Sequence, residues 1–327
     1  MHQIEIIVIL WIQTLGDWLK MPMQFFSFLG TQYAYMLLMC VVYWCIDSRL
    51  GIRLAVSLMV SNSFNTSLKW LFKYPRPYWV DARVHALSME SSFGLPSGHA
   101  MISTTVWGKV ILWFRQRWIT VLLVTVLIFI GFSRLYLGVH FLSDVLSGWI
   151  FGFILLFILQ KMEKPVMTRL SKMNLGRQLF IFFVSSIIIV TFFLTFYWFL
   201  SDWQIPESWI MISRLTAPGS SINPFKIRDI IMISGTWFGF LSGFFWIKQL
   251  GGFNISGTLW MQIFRLIIGL FGLLFFTFTL TSFIPDDIDW VAYSLIYLQY
   301  ALIGFWVTGF APYIFIKVRL AKKIRIE

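Results

Sequence analysis

Long apolar stretches separated by short polar joints run the length of the chain. They predict ten helices: about 4–19, 31–46, 52–70, 99–114, 118–137, 142–160, 178–200, 230–248, 260–282 and 290–316. A helix needs roughly 20 apolar residues to cross a bilayer, and several of these fall short of that. The first is interrupted by Glu5, Gln13 and Asp17, which suits an interfacial helix as well as a spanning one. No basic stretch precedes it, so it is expected to stay on the mature protein. Two longer joints break the rhythm. Residues 71–98 hold Pro75, Pro77, Gly94, Pro96 and Gly98, and residues 201–229 hold Pro206, Pro218, Gly219 and Pro224. No repeat, low-complexity tract or linker sets off a soluble domain.

Composition turns this pattern into a membrane assignment. Of 327 residues, 58% are hydrophobic and only 12% charged, about half the charge of a soluble domain. A soluble fold of this size has no interior large enough for that apolar surface, whereas lipid accepts it. The net charge of +12 would suggest nucleic acid in a soluble chain. Here the basic residues sit in short joints, so no nucleic-acid partner is expected and membrane lipids are. With the N-terminus in the cytoplasm, fifteen of the 26 basic residues fall inside, including Arg115, Lys161, Arg169 and the tail from Lys317 to Arg325. Nine fall outside. That bias predicts both termini in the cytoplasm. Asp286, Asp287 and Asp289 then lie outside and read as a solvated turn and helix cap. Cys40 and Cys45, five apart on one helix, face different ways and read as small core residues.

Three short stretches carry groups that lipid rejects. The first runs from Lys69 to Arg76-Pro77, with a Lys and an Arg seven apart. The second is Pro96-Ser97-Gly98-His99, directly before an apolar helix. The third runs from Ser133-Arg134 through His140 to Asp144 at a hairpin between two helices. All three reach the outer face in the predicted topology. Lys69, Arg76 and Arg134 offer charge and forked donors to phosphate oxygens. Ser97 is an N-cap residue, and the helix start at Gly98 offers backbone N–H groups to an anion. His140 and Asp144, four apart, share a helix face, so the carboxylate can hold one ring nitrogen and leave the other free to attack. His99 is a second imidazole, suited to protonating a leaving oxygen. No acidic set with magnesium-binding spacing accompanies them, so three cations would carry the charge stabilisation.

These stretches, Lys-x6-Arg-Pro, Pro-Ser-Gly-His and Ser-Arg-x5-His-x3-Asp, resemble the signature of the type-2 phosphatidic acid phosphatase superfamily, with every position filled in order. The resemblance covers about residues 30 to 160. It implies an all-α polytopic membrane bundle with a six-helix phosphatase core and about four additional C-terminal transmembrane helices. The expected division is a core over 1–165 and an extension of unassigned role over 166–327. The resemblance also implies a cofactor-free, metal-free hydrolase for phosphate monoesters or diphosphates. In it His140 is the nucleophile, Asp144 orients it, His99 is the general acid, and Lys69, Arg76, Ser97, Gly98 and Arg134 hold the phosphoryl group. Phe28-Leu29-Gly30 is similar to sphingosine-phosphate phosphatases. Lys69-Trp70 and Arg76-Pro77-Tyr78-Trp79 are similar to glucose-6-phosphatases. The expected substrate is a lipid phosphate at the cell membrane, on the extracytoplasmic face. A soluble ester such as a sugar phosphate, or a non-catalytic carrier on the same core, are the alternatives. Lys73, Arg83 and His85 read as loop residues outside the motifs.

Overall fold

A computed structural model describes residues 2–200, 202–285 and 289–323. Asp286, Asp287 and Arg325 lie outside the described residues. The fold is all-α apart from one two-residue pairing, Phe253–Asn254 (β1) with Lys322–Lys323 (β2). The helices are α1 (His2–Gln13), α2 (Lys20–Leu29), α3 (Gln32–Val41), α4 (Ser48–Phe72), α5 (Pro77–Val80), α6 (Gly98–Phe114), α7 (Arg117–Tyr136), α8 (Leu142–Ser171), α9 (Leu175–Phe199), α10 (Glu207–Thr216), α11 (Ile227–Gln249), α12 (Leu259–Thr281), α13 (Trp290–Phe305) and α14 (Ala311–Lys317). Each of the ten apolar stretches is helical, while α2, α5 and α10 add short helices where joints were expected.

Among the described residues, six helices are long and apolar enough to cross a bilayer: α7, α8, α9, α11, α12 and Trp290–Lys317, or seven if the broken pair Asp17–Leu29 and Gln32–Ile46 is one span. That is fewer than the ten apolar stretches of the sequence. The reasons are local. The α6 helix has 17 residues and α1 has 12. The α4 helix carries Arg49, Arg53, Asn62, Asn65 and Lys69, which dilute its hydropathy. The chain is a multi-pass membrane protein.

Contacts divide the chain into two units of interleaved segments. The first comprises Met1–Tyr35, Val60–Lys161 and Leu200–Phe225, and the second Met36–Met59, Met162–Phe199 and Lys226–Glu327. The expected boundary near 165 lies close to one of the five crossings, and residues 36–59 and 200–225 lie on the other side of it.

In the first unit, α4, α6 and α8 meet in an apolar cluster of Leu68, Met101 and Leu155, with Val60, Phe151 and Leu159 against it. Gly148 and Gly152 let α8 approach α6. A Cβ at Gly148 would come 2.8 Å from the Ser97 carbonyl, and one at Gly152 would come 2.7 Å from Thr104 Cβ. Small residues four apart allow this close backbone approach in lipid. Phe26 of α2 stacks on Phe129 of α7 with centroids 4.7 Å apart. The polar residues that seemed to interrupt α1 fasten it instead. Glu5 Oε1 accepts from the Ser143 N–H at 2.7 Å, and Gln13 donates to the carbonyls of His85 at 2.8 Å and Tyr136 at 3.1 Å.

In the second unit, Phe182, Leu241 and Phe245 form a core with Trp237 and Phe238 packed against it. The α3 helix ends in a π turn, Val42–Ile46, and α13 leads into another, Trp306–Phe310. The Trp44 indole donates to the Val307 carbonyl at 2.8 Å, and the Tyr43 hydroxyl to that of Thr308 at 2.9 Å. Cys40 and Cys45 are free and buried. Arg265, fully buried in α12, donates to the carbonyls of Met261, Trp44 and Ile255 at 3.2, 2.9 and 2.8 Å.

Candidate active site

Between the end of α7 and the start of α8 the backbone makes a tight turn, with Leu137 N–H on the Ser133 carbonyl and Val139 N–H on that of Arg134. This turn delivers His140, which is 1% exposed. Asp144, in the first turn of α8, accepts the Phe141 N–H at 2.9 Å and lies 3.1 Å from His140 Nδ1 through the same oxygen. One carboxylate thus caps a helix start and orients an imidazole. With Nδ1–H directed at the carboxylate, the lone pair is on Nε2, which lies 3.3 Å from Arg76 Nη1. Burial pushes the His140 imidazole well below the usual histidine range, and the charges of Arg76 and Lys69 push it further. The ring is therefore neutral at pH 7.

The cations converge on the loop just after Glu90. Arg76, 1% exposed, donates Nε to the Ser92 carbonyl at 2.6 Å, Nη1 to that of Val139 at 2.8 Å, and Nη2 to Ser92 Oγ at 3.1 Å and the Phe93 carbonyl at 3.2 Å. Lys69 reaches Ser92 Oγ at 3.0 Å and also the Phe93 carbonyl. Arg134, 1% exposed, donates Nη1 to Ser27 Oγ and Nη2 to Glu90 Oε1 at 2.7 Å. Its Nε is buried without a hydrogen-bond partner among the described residues.

Ser97 caps α6 by accepting from the Ala100 N–H, and its own N–H donates to the Asp144 carbonyl at 2.9 Å. That bond, beneath the close approach at Gly148, ties the second motif to the third. Gly98 lies against Asn65, where a Cβ would come 3.0 Å from the amide oxygen. The first-turn N–H groups of Gly98 and His99 have no intrahelical acceptor by geometry. His99 holds its carbonyl against the Ser103 hydroxyl, which in turn accepts from Tyr35. His99 Nε2 is buried with no partner among the described residues.

All eight predicted residues, Lys69, Arg76, Ser97, Gly98, His99, Arg134, His140 and Asp144, thus come together in the first unit. Arg83 does not join them, pairing at the surface with Asp81 at 2.7 Å. Lys73 lies 5.7 Å from the Trp203 ring centre. His85 is exposed, and its backbone is engaged by Gln13 and by the Leu87 N–H. Sequence reasoning missed Glu90, Ser92, Ser27 and Asn65. Burial alone would raise the Glu90 carboxyl, yet Arg134 and Arg76 hold it well below the usual carboxylate range. It also missed the brace over the 91–93 loop from residues 200–225. There Asn223 N–H meets the Ser91 carbonyl at 3.0 Å, and Phe93 packs on Trp203 and Phe225. None of these partners has a fixed spacing from the motifs.

Chemically, the cluster gathers basic side chains with an imidazole held at Nδ1 by a carboxylate on one side, His140, and an imidazole whose Nε2 is unpartnered among the described residues on the other, His99. A sequence model described as the PAP2 superfamily matches residues 50–166, which contain all eight residues. A second, described as the transmembrane extension of PAP2 superfamily phosphatases, matches 231–323. Phosphatidylglycerophosphatase B of Bacillus subtilis is 33% identical over 87 residues, covering 24% of this chain and 42% of its own. Human glucose-6-phosphatase 3 is 28% identical over 162 residues, 42% of this chain and 47% of its own. Human sphingosine-1-phosphate phosphatase 2 is 27% identical over 189 residues, 56% of this chain and 46% of its own. The chain spans about half the length of these relatives.

Proposed function

We propose that this chain, which matches the PAP2 superfamily model over 50–166 and its transmembrane extension over 231–323, is a membrane phosphatase that hydrolyses a lipid phosphate monoester or diphosphate through a phosphohistidine. The observation that carries this is the orientation of His140. Asp144 takes Nδ1, so the lone pair on Nε2 faces the cations where a phosphoryl group would rest. Its one partner there among the described residues, Arg76 Nη1 at 3.3 Å, is itself a phosphate-binding donor that a phosphoryl oxygen would draw away.

In this reading the steps are as follows. Arg76, Lys69 and Arg134, with the N–H groups at the start of α6, bind the phosphoryl oxygens. His140 Nε2 attacks phosphorus, and the bond to the leaving oxygen breaks in line. Burial and Arg134 hold His99 well below the usual histidine range in the empty site, so it takes up its proton only with the phosphate anion bound, and it gives that proton from Nε2 to the leaving oxygen. Asp144 stabilises the positive charge that develops on the His140 ring. His99, now neutral, takes a proton from water as the water oxygen attacks phosphorus. The P–N bond breaks, its electron pair returns to Nε2, and phosphate departs. One residue serves as acid and then base, as microscopic reversibility requires. Cation charge supplies the stabilisation of the transition state. Among the described residues no three His, Cys, Asp or Glu side chains converge as a metal-binding set.

Lipid as the substrate is supported by the membrane setting and by relatives named for lipid substrates. The basic-residue bias supports an extracytoplasmic site and cytoplasmic termini. Named similarity to a glucose-6-phosphatase keeps a soluble sugar phosphate as the second reading. The test is turnover by the purified protein on a panel of lipid phosphates and sugar phosphates, followed by acid-quenched labelling with a radiolabelled substrate. Labelled phosphoenzyme in the wild type and none in His140→Ala is the expected result. Label persisting in His140→Ala would assign the nucleophile elsewhere, and turnover of sugar phosphates alone would overturn the lipid reading.

A further inference from the structure

Arg134 is assigned to phosphate, yet its Nη2 is already on a carboxylate, Glu90 Oε1, at 2.7 Å. Three features of that pair stand apart from a fixed structural bridge. The Arg134 side chain is 1% exposed while that of Glu90 is 30% exposed, so the acid has an outlet and the cation has none. The backbone of Glu90 is pinned on both sides by one hydroxyl. Its N–H donates to Tyr78 Oη at 3.0 Å, and Tyr78 donates to its carbonyl at 2.8 Å. Only side-chain torsions then need to change for the carboxylate to leave. Finally, Arg134 Nε beside it is buried with no partner among the described residues, so the guanidinium has a donor unused by the fold.

We propose that Glu90 is a positioning residue that acts as an internal counter-anion, occupying Arg134 when the site is empty and giving way to the phosphoryl group. This rests on the phosphatase reading above. The carboxylate weakens the binding of every phosphate-like anion by the cost of displacing it. It also returns to Arg134 as inorganic phosphate leaves, so that a buried guanidinium is never stranded without an anion. Glu90 remains ionised because Arg134 and Arg76 outweigh its burial, so the competition persists across the neutral range. A triply cationic pocket would otherwise retain its product, and release limits turnover in many enzymes.

The sign of one measurement separates this role from a structural one. If Glu90 only holds Arg134 in place, Glu90→Gln misorients the arginine and weakens phosphate binding. If Glu90 competes, Glu90→Gln tightens it. Inhibition by inorganic phosphate and by orthovanadate is measured on nitrophenyl phosphate hydrolysis in detergent at fixed ionic strength. The expected result is a fall of about tenfold in both inhibition constants in Glu90→Gln, with lower KM and lower kcat. Glu90→Asp, which keeps the charge but retracts it by one methylene, should show a smaller fall. An unchanged or raised inhibition constant in Glu90→Gln overturns the proposal. If Glu90→Gln does not fold, an unchanged constant in Glu90→Asp does so. The same anions are titrated against thermal unfolding, which needs no turnover. A wild type without activity, but with a Glu90→Gln variant stabilised at lower phosphate concentration, would sink the phosphatase reading and keep the counter-anion. An equal phosphate dependence in both proteins would sink the counter-anion alone.

Discussion

Each unit buries arginine away from water, and the two differ in what those arginines still have to give. Arg265 in the second unit spends Nε, Nη1 and Nη2 on three backbone carbonyls. Arg134 in the first meets a serine hydroxyl and a carboxylate that has an outlet, and its Nε is unspent. Arg76 stands between them, bound to carbonyls but also 3.3 Å from His140 Nε2. Burial of a cation in a membrane protein is therefore a poor marker of chemistry by itself. The informative quantity is the donor capacity a buried cation keeps after the fold has been satisfied, and between Arg265 and Arg134 it is Arg134 that keeps it, at Nε.

The sharpest break in the comparison is at the nucleophile. His140→Ala should lose on the order of 10^4-fold in kcat, as removal of a member of a concerted catalytic set does. His99→Ala should spare the first step with a nitrophenyl leaving group, which needs no protonation, so phosphoenzyme should accumulate. Acid-quenched labelling distinguishes the two. Next come the arginines. Arg134→Ala should lower kcat/KM by about 10^2–10^3-fold at near-normal stability. Arg265→Met should do the reverse. It strands buried carbonyls at about 1–3 kcal/mol each, so it should lower Tm while the folded fraction keeps kcat/KM within about tenfold. Equal loss of activity per folded molecule in both variants would erase the distinction.

A smaller effect concerns pH. His140 attacks as the neutral ring, and burial followed by Arg76 and Lys69 holds its pKa down. The acid limb of kcat/KM should therefore lie below the usual histidine value of about 6.5. Removing one cation favours the imidazolium, so Arg76→Gln should move that limb to higher pH. A limb that stays put or moves down would contradict the assignment. The smallest expected effect is none at all: a chelator should leave turnover unchanged, and a loss restored by magnesium alone would overturn the metal-free route.

How much of this was legible in the sequence divides along the same line. The spacings Lys69 to Arg76, Ser97 to His99 and Arg134 to Asp144 are local, and helix geometry converts them directly into shared faces and helix ends. The long apolar runs likewise became α7, α8, α9, α11 and α12. What the sequence hid depends on tertiary neighbours. Glu90 looks like any loop acid until Arg134 is seen beside it. Glu5 and Gln13 look like flaws in an apolar helix until Ser143 and His85 supply their partners. The α2 and α10 helices are ten residues each and were lost in joints, because short amphipathic segments give weak periodic signals.

The length of α8 ties the depth of the catalytic turn to the membrane itself. From Asp144 to Lys161 the helix rises about 26 Å at its normal pitch, slightly less than a hydrocarbon layer of about 30 Å. Lys161, Lys164 and Arg169 lie at one end of this rise and His140 just before the other. The helix is in effect a depth gauge, and the thickness of the surrounding lipid is an input to it. In short-chain lipid the turn would stand proud of the acyl region, and in long-chain lipid it would be drawn inward. Reconstitution across a series of acyl lengths would thus tune how readily a headgroup meets His140, with no change to any residue of the site.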